Sequence, residues 1–178
     1  YLLEIAKVTS NDALLAELNV LQQTSIGTKA TNFDFDNTSL YQLESSDYYI
    51  VAFWSSTCGH CLKEMPILQD FVKQQPKNKI EVIAIGLESE PEFWTQKIKE
   101  FKTFTHVYGE GKWDNTIGDA YNVKATPTFF ILNKSKEIVE AKRIKCGQEI
   151  DRETERIREA HYKSRLSGIY NFANVYNV

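Results

Sequence analysis

The sequence lacks the features of a membrane segment, a nucleic-acid-binding surface or a disulfide-rich scaffold. No apolar run approaches the roughly 20 residues that a membrane-spanning helix needs, and the longest, Tyr48 to Trp54, has the length of a strand. The 21 Lys and Arg residues are balanced by 24 Asp and Glu, so no nucleic-acid partner is expected. Three cysteines cannot all pair within one chain, which excludes a framework of structural disulfides.

The bulk composition predicts one principal domain with extensions. A chain of 178 residues with 42% hydrophobic residues can bury one substantial core. It begins with Tyr1 rather than Met, so we expect a processed or excised piece of a longer protein, and a membrane tether outside the piece is possible. The lack of a leader peptide therefore carries no information about the compartment.

Strand-like and helix-like patterns alternate along the chain and then end in a predicted hairpin. Such alternation predicts an α/β domain of three layers with a mixed central sheet. The predicted helices cover 1–23, 58–73, 91–104, 114–121 and 151–166, and the predicted strands cover 33–35, 39–43, 49–54, 80–87, 105–108, 127–132 and 137–144.

Several details of this pattern can be tested against the structure. Asn11 or Ser10 could cap the first helix, and residues 24–31 are predicted to be a linker. The residues expected to face inward are Leu62, Met65, Leu68, Phe71 and Val72 on the second predicted helix and Phe93, Trp94, Ile98 and Phe101 on the third. Trp94 and Trp113 are expected in the core or covering it, and His106 at a strand edge.

The motif Cys58-Gly59-His60-Cys61 follows the apolar run directly and opens a predicted helix. Two cysteines at this spacing suit reversible dithiol–disulfide chemistry. The helix start places free N–H groups and partial positive charge beside Cys58, which stabilises its thiolate, the nucleophile of disulfide exchange. The thiol of Cys61, one turn later, could then release the mixed disulfide.

Together with Thr126-Pro127, this strand–Cys-x-x-Cys–helix unit resembles the thioredoxin superfamily, and within it the TlpA/ResA-type extracytoplasmic thiol–disulfide oxidoreductases. Phe53-Trp54 before the cysteines and Pro66, five positions after Cys61, fit the same family. The resemblance covers 27–144. Residues 88–111 match the helix and strand that TlpA-like proteins insert into the simple thioredoxin fold.

The resemblance implies a thioredoxin-like domain over 27–146, an N-terminal helical extension over 1–26 and a charged C-terminal helix and tail over 147–178. It implies an enzyme that exchanges its Cys58–Cys61 disulfide with protein cysteines, and an upstream redox partner. It also implies an extracytoplasmic location in the bacterial periplasm or envelope. Neither a metal nor an organic cofactor is implied. Thr126 and Pro127 would form the family's cis peptide bond beside the thiols, exposing backbone for a substrate peptide.

Four residues in or near the motif invite further interpretation. Glu64 matches the Glu of the Cys-x-x-Cys-x-x-Glu pattern in the ResA-like branch, and helical spacing places it near Cys61; we expect it to tune or deprotonate that thiol. The imidazole of His60 could stabilise the Cys58 thiolate. Thr57 replaces the family's usual Trp, and Ala52 replaces the buried Asp of thioredoxin itself.

Other functions for the cysteine pair stay open. A zinc site would need two further ligands, and the candidates Cys146, His106 and His161 show no paired metal spacing. A metallochaperone is a minor alternative on this fold. The stronger alternative is a non-catalytic module that keeps the thioredoxin fold and only binds peptides.

Overall fold

The computed structural model describes residues 11–143 and contains the predicted α/β architecture. The strands are β1 Asp34–Phe35, β2 Thr38–Ser39, β3 Tyr48–Trp54, β4 Ile80–Glu88, β5 Thr105–Glu110, β6 Thr128–Asn133 and β7 Ile138–Arg143. The helices are α1 Asp12–Gln23, α2 Gly59–Lys73, α3 Pro91–Lys97 and α4 Thr116–Ala120, and short 3-10 turns cover Leu40–Gln42, Ile98–Glu100 and Lys112–Asp114.

Five strands form a mixed sheet in the order β5-β4-β3-β6-β7. The strands β3, β4 and β5 are parallel, whereas β6 is antiparallel to both β3 and β7. The strands β1 and β2 pair separately as a small antiparallel ribbon. The parallel strands therefore all end at one edge of the sheet, and β6 begins at that same edge.

The alternation of side chains along β3 divides the core into two layers. Tyr49, Val51 and Phe53 pack on one face, against aromatic residues that precede β3 and against the C-terminal end of α4. Ile50, Ala52 and Trp54 pack on the other face, against the buried side of α2. All six side chains are buried, as expected for a central strand covered on both faces. The three-layer prediction is confirmed.

The third predicted helix is shorter than the sequence suggests. The α-helix ends at Lys97 and a 3-10 turn follows, whereas the prediction extended to Phe104. Its packing is set by Trp94, whose ring lies so close over Gly86 that a Cβ there would meet Nε1 at 2.1 Å. Neighbouring residues of a helix point about 100° apart, so with Trp94 inward Phe93 turns outward and is 70% exposed.

The inward orientation of Leu62 and the burial of Trp113 were also predicted wrongly. Leu62 is 37% exposed because α2 presents Cys61 to the core instead, and Trp113 is 49% exposed on a 3-10 turn. His106 lies on the edge strand β5 as expected. Its half-buried ring packs against Trp94 and Phe104, and burial lowers its pKa.

The segment predicted as a linker is instead attached to the sheet. The backbone N–H of Gly27 donates to Ile138 O, Ile138 N–H donates to Thr28 O, and Ala30 N–H donates to Lys136 O. Leu40 to Gln42 form a 3-10 turn rather than strand. Asn11 caps α1, its side chain accepting from Leu14 N–H at 3.0 Å.

The predictions for residues 1–10, for Cys146 and for the C-terminal helix and tail fall outside the described residues. Within residues 11–143, no helix is both long and apolar enough to cross a lipid bilayer.

Candidate active site

The sheet topology brings the two sequence motifs to one place. The last residue of β3, Trp54, aligns with Gly86 of β4, and Phe53 aligns with Thr128 at the start of β6. The loop after β3 and the loop before β6 therefore meet at the same edge. The structure brings Cys58 to the Thr126-Pro127 peptide, although 68 positions separate Cys58 from Thr126.

Cys58 occupies the N-cap of α2 and is partly exposed. Its thiol lies 3.4 Å from Thr126 O, to which it can donate. Hydrogen bonding to the Cys61 thiol is the largest influence on the Cys58 pKa, and the backbone N–H groups of Cys61 and His60 add to it. Together they outweigh burial and lower the pKa of Cys58 to about 4. The geometry therefore favours a thiolate at Cys58 near neutral pH.

Cys61 differs from Cys58 both in its exposure to solvent and in the direction of its pKa shift. Its side chain has no exposed surface and packs in the apolar layer with Trp54 and Met65. Burial raises the pKa of the Cys61 thiol strongly, and its hydrogen bond to Cys58 raises it further. The backbone N–H of Ser55 donates to Cys61 Sγ at 3.4 Å and acts in the opposite direction. The site thus pairs a partly exposed thiol whose pKa is lowered with a shielded thiol whose pKa is raised.

The Thr126–Pro127 peptide bond is cis, as the family resemblance predicted. Thr126 is buried, and the hydroxyl of Thr128 fixes the loop by donating to Ala125 O at 2.7 Å. The carbonyl of Thr126 thereby faces the reactive thiol.

Of the remaining predicted residues, three contribute through backbone or packing. Trp54 lies beneath the motif, fully buried, with its ring edge-on to Phe101 at 5.6 Å. The half-buried residue His60 supplies its backbone N–H to Cys58, while the role of its imidazole stays a prediction. Pro66 lies inside α2 and, lacking an N–H, cannot donate to Leu62 O.

The roles predicted for Gly59 and Glu64 stay predictions. Gly59 is exposed and has no atom within 4 Å of where a Cβ would lie, so no steric constraint requires glycine there. Glu64 is half-buried on α2, one turn after Cys61. Its action on Cys61 stays a prediction.

Sequence reasoning missed Glu88 as a part of this site. Glu88 ends β4 and is only 4% exposed, and its carboxylate accepts hydrogen bonds from Ser55 and Ser56 in the loop before Cys58. A carboxylate that directly follows the apolar run 82–87 of β4 is the signal that could have found it. Parallel strands end at the same edge, so the end of β4 had to lie near the end of β3.

A metal centre at the cysteine pair would require further ligands beside the two thiols. Among residues 11–143, no group of three or more His, Cys, Asp or Glu side chains is arranged to hold a metal ion. Cys146 and His161 lie outside that part of the chain.

Known proteins share both the sequence pattern and this fold. A family model described as Thioredoxin-like matches residues 46–138, more than half of the chain. The chain belongs to this family. The thiol-disulfide oxidoreductase ResA of Geobacillus kaustophilus is 28% identical over 147 residues, which are 77% of this chain and 82% of the relative. ResA of Bacillus subtilis is 27% identical over 127 residues, 66% of this chain and 67% of the relative.

Solved structures agree with the assignment. A thioredoxin-like protein from Bacteroides caccae is 31% identical with a TM-score of 0.58; the match covers 79% of this chain but about half, 52%, of that protein. A domain of a possible thiol-disulfide isomerase from Cytophaga hutchinsonii is 29% identical with a TM-score of 0.56, covering 81% of this chain and 97% of the domain. The chain is a TlpA/ResA-like member of the thioredoxin superfamily and, by homology, belongs with the thiol–disulfide oxidoreductases.

The unequal thiols predict selective alkylation. Iodoacetamide should label Cys58 of the reduced, folded protein at a rate that is nearly constant from pH 6 to 8 and falls only toward the Cys58 pKa of about 4. Cys61 should react only after unfolding, because it is buried and protonated. Peptide mass spectrometry assigns the labelled site.

The Cys61→Ala variant provides the control. It removes the largest influence on the Cys58 pKa, so the pH midpoint of labelling should move upward toward the ordinary cysteine value of about 8.5. Preferential labelling of Cys61, or a midpoint near 8.5 in the unaltered protein, would contradict the assignment of the two thiols.

Proposed function

We propose that this domain exchanges its Cys58–Cys61 dithiol with the disulfides of other proteins through a mixed disulfide. The observation that carries the proposal is the asymmetry of the pair: a partly exposed thiolate at the start of α2 and a shielded thiol one turn later. A peptide-binding module has no need of two thiols with such different properties.

In the proposed cycle, the Cys58 thiolate attacks one sulfur of a substrate disulfide. A bond forms between Cys58 Sγ and that sulfur, and the other substrate sulfur leaves as a thiolate and takes a proton. Cys61 then loses its proton and attacks Cys58 Sγ. The Cys58–Cys61 disulfide forms, the second substrate thiol leaves, and two electrons have passed to the substrate. Oxidation of a substrate dithiol follows the same path in reverse.

The proposed roles predict that Cys61→Ser traps partners. Without the second thiol, the mixed disulfide on Cys58 cannot be released internally, so protein adducts that disappear on adding dithiothreitol should accumulate on non-reducing gels. The Cys58→Ser variant should give no such adducts, because Cys61 is inaccessible. Equal trapping by both variants, or none by either, would favour the non-catalytic binding module.

We also propose that Glu64 assists the second step by accepting or stabilising the proton that Cys61 must lose. The half-buried position of Glu64, one turn beyond Cys61 on α2, supports this role. The Glu64→Gln variant should remain folded and shift the pH dependence of thiol exchange toward higher pH, slowing exchange near pH 7 by about a hundredfold, the low end for loss of a general base. An unchanged pH profile would mean that Glu64 is simply a solvated helix residue.

The resemblance to extracytoplasmic relatives supports two further proposals, one on the partners and one on the compartment. The substrates and an upstream partner would be proteins carrying exchangeable thiols or disulfides, and exchange would take place in the periplasm or cell envelope, where disulfides persist. Fractionation of the native cells, followed by immunodetection of the chain, tests the compartment; recovery in the cytoplasmic fraction would overturn it.

A further inference from the structure

The carboxylate of Glu88 is buried directly under the loop that carries the cysteine motif. It is 4% exposed, and a carboxylate buried to this extent requires hydrogen-bond partners. Both of its oxygens have them. Oε1 accepts from the backbone N–H of Ser56, and Oε2 accepts from the hydroxyl of Ser55 at 3.2 Å. The end of β4 is thus hydrogen-bonded to two consecutive residues of the loop that follows β3.

Of the two residues that Glu88 binds, Ser55 is the one that contacts both cysteines. The backbone N–H of Ser55 donates to Cys61 Sγ at 3.4 Å, while the carbonyl of Ser55 accepts from Cys58 N–H at 3.2 Å. The hydroxyl of Ser55 also lies 3.1 Å from that of Thr57. A chain of hydrogen bonds therefore runs from Glu88 through Ser55 to the buried thiol.

Resting on the proposed exchange function, we infer that Glu88 is a positioning residue for the second step: it fixes Ser55 and Ser56 so that the Ser55 N–H stays aimed at Cys61 Sγ. When Cys61 gives up its proton to attack the mixed disulfide, negative charge develops on this sulfur inside an apolar layer. One fixed N–H donor is then the kind of group that stabilises it. The first step does not depend on this donor, because hydrogen bonds from Cys61, from the Thr126 side chain and from the His60 backbone stabilise the Cys58 thiolate.

A field effect of the carboxylate must be separated from its hydrogen bonds. Glu88 aligns with Glu110 on β5. Desolvation is the largest cause of the raised pKa of the nearby Tyr108, and the negative charges of Glu110, Glu88, Glu92 and Glu90 raise this pKa further. Glu110 is exposed, and the hydrogen bond that the structure gives it runs from the Asn115 amide to its backbone carbonyl. Glu110→Ala is therefore a matched control, since it removes the same charge from the same sheet edge without touching the loop.

Stopped-flow reaction of the reduced protein with excess Ellman's reagent resolves the two steps. The first thionitrobenzoate is released when Cys58 attacks, at a rate proportional to reagent concentration. The second is released when Cys61 displaces it from Cys58, at a rate independent of concentration. The unaltered protein should show both phases. If the second phase is missing there, the proposed function itself fails, whatever the variants do.

Glu88→Ala should slow the second phase about tenfold or more, as expected for losing one hydrogen bond to a developing anion, and change the first by less than about twofold. Glu88→Gln should restore most of the second-phase rate, because its amide can accept from Ser56 N–H and bond with the Ser55 hydroxyl. Glu110→Ala should leave both phases within about twofold of the unaltered protein.

Four outcomes would overturn the inference: an unchanged second phase in Glu88→Ala, equal slowing of both phases, Glu88→Gln as slow as Glu88→Ala, or equal slowing by Glu110→Ala. If Glu88→Ala does not fold, as judged by circular dichroism, Ser55→Ala replaces it. Of the two Glu88 hydrogen bonds, that variant removes only the one to Oε2, together with the contacts of the Ser55 hydroxyl with Thr57. It should slow the second phase about threefold while leaving the first intact. No slowing would then reject the role.

Discussion

The antiparallel pairing of β6 with β3 is the constraint on which the site depends. The strands β3 and β4 are parallel and end together, so their following loops share one edge of the sheet. Because β6 runs the other way, its first residue, Thr128, aligns with Phe53 near the end of β3. The cis Thr126–Pro127 peptide is thereby placed against Cys58. A parallel β6 would have put that peptide at the opposite edge, away from both thiols.

The chemical difference between the two thiols comes from a single turn of α2. At the N-cap, Cys58 is partly exposed and meets N–H groups that have no partner within the helix. One turn later, Cys61 points into the apolar layer beneath the sheet edge, where a charged sulfur is strongly disfavoured. The same helix thus activates one cysteine and protects the other. The buried loop held by Glu88 adds the hydrogen bond from Ser55 that the protected cysteine needs when it reacts.

The sequence predicted what depends on local pattern and on the family motif: the buried strands, the start of α2, the cysteine pair and the cis peptide bond. The predictions from the sequence were wrong or incomplete where tertiary packing determines the orientation of a side chain or the contacts of a loop. Phe93 and Trp94 are both apolar, and only the close approach of Trp94 to Gly86 determines which of them turns inward. The role of Glu88 depends on which loops meet at the sheet edge, and this is invisible without the strand order. The small, polar composition of 24–31 likewise hid its backbone pairing with β7.

The central claim is that Cys58 and Cys61 interconvert reversibly between dithiol and disulfide, with the Cys58 thiolate stabilising the reduced form. A glutathione redox titration of the isolated chain, quenched by alkylation and followed by mass spectrometry, tests this most directly. The account predicts one two-electron transition at a potential between those of thioredoxin and protein disulfide isomerase, about −270 and about −180 mV. Failure of the pair to interconvert, or a potential at or below that of thioredoxin, would contradict it.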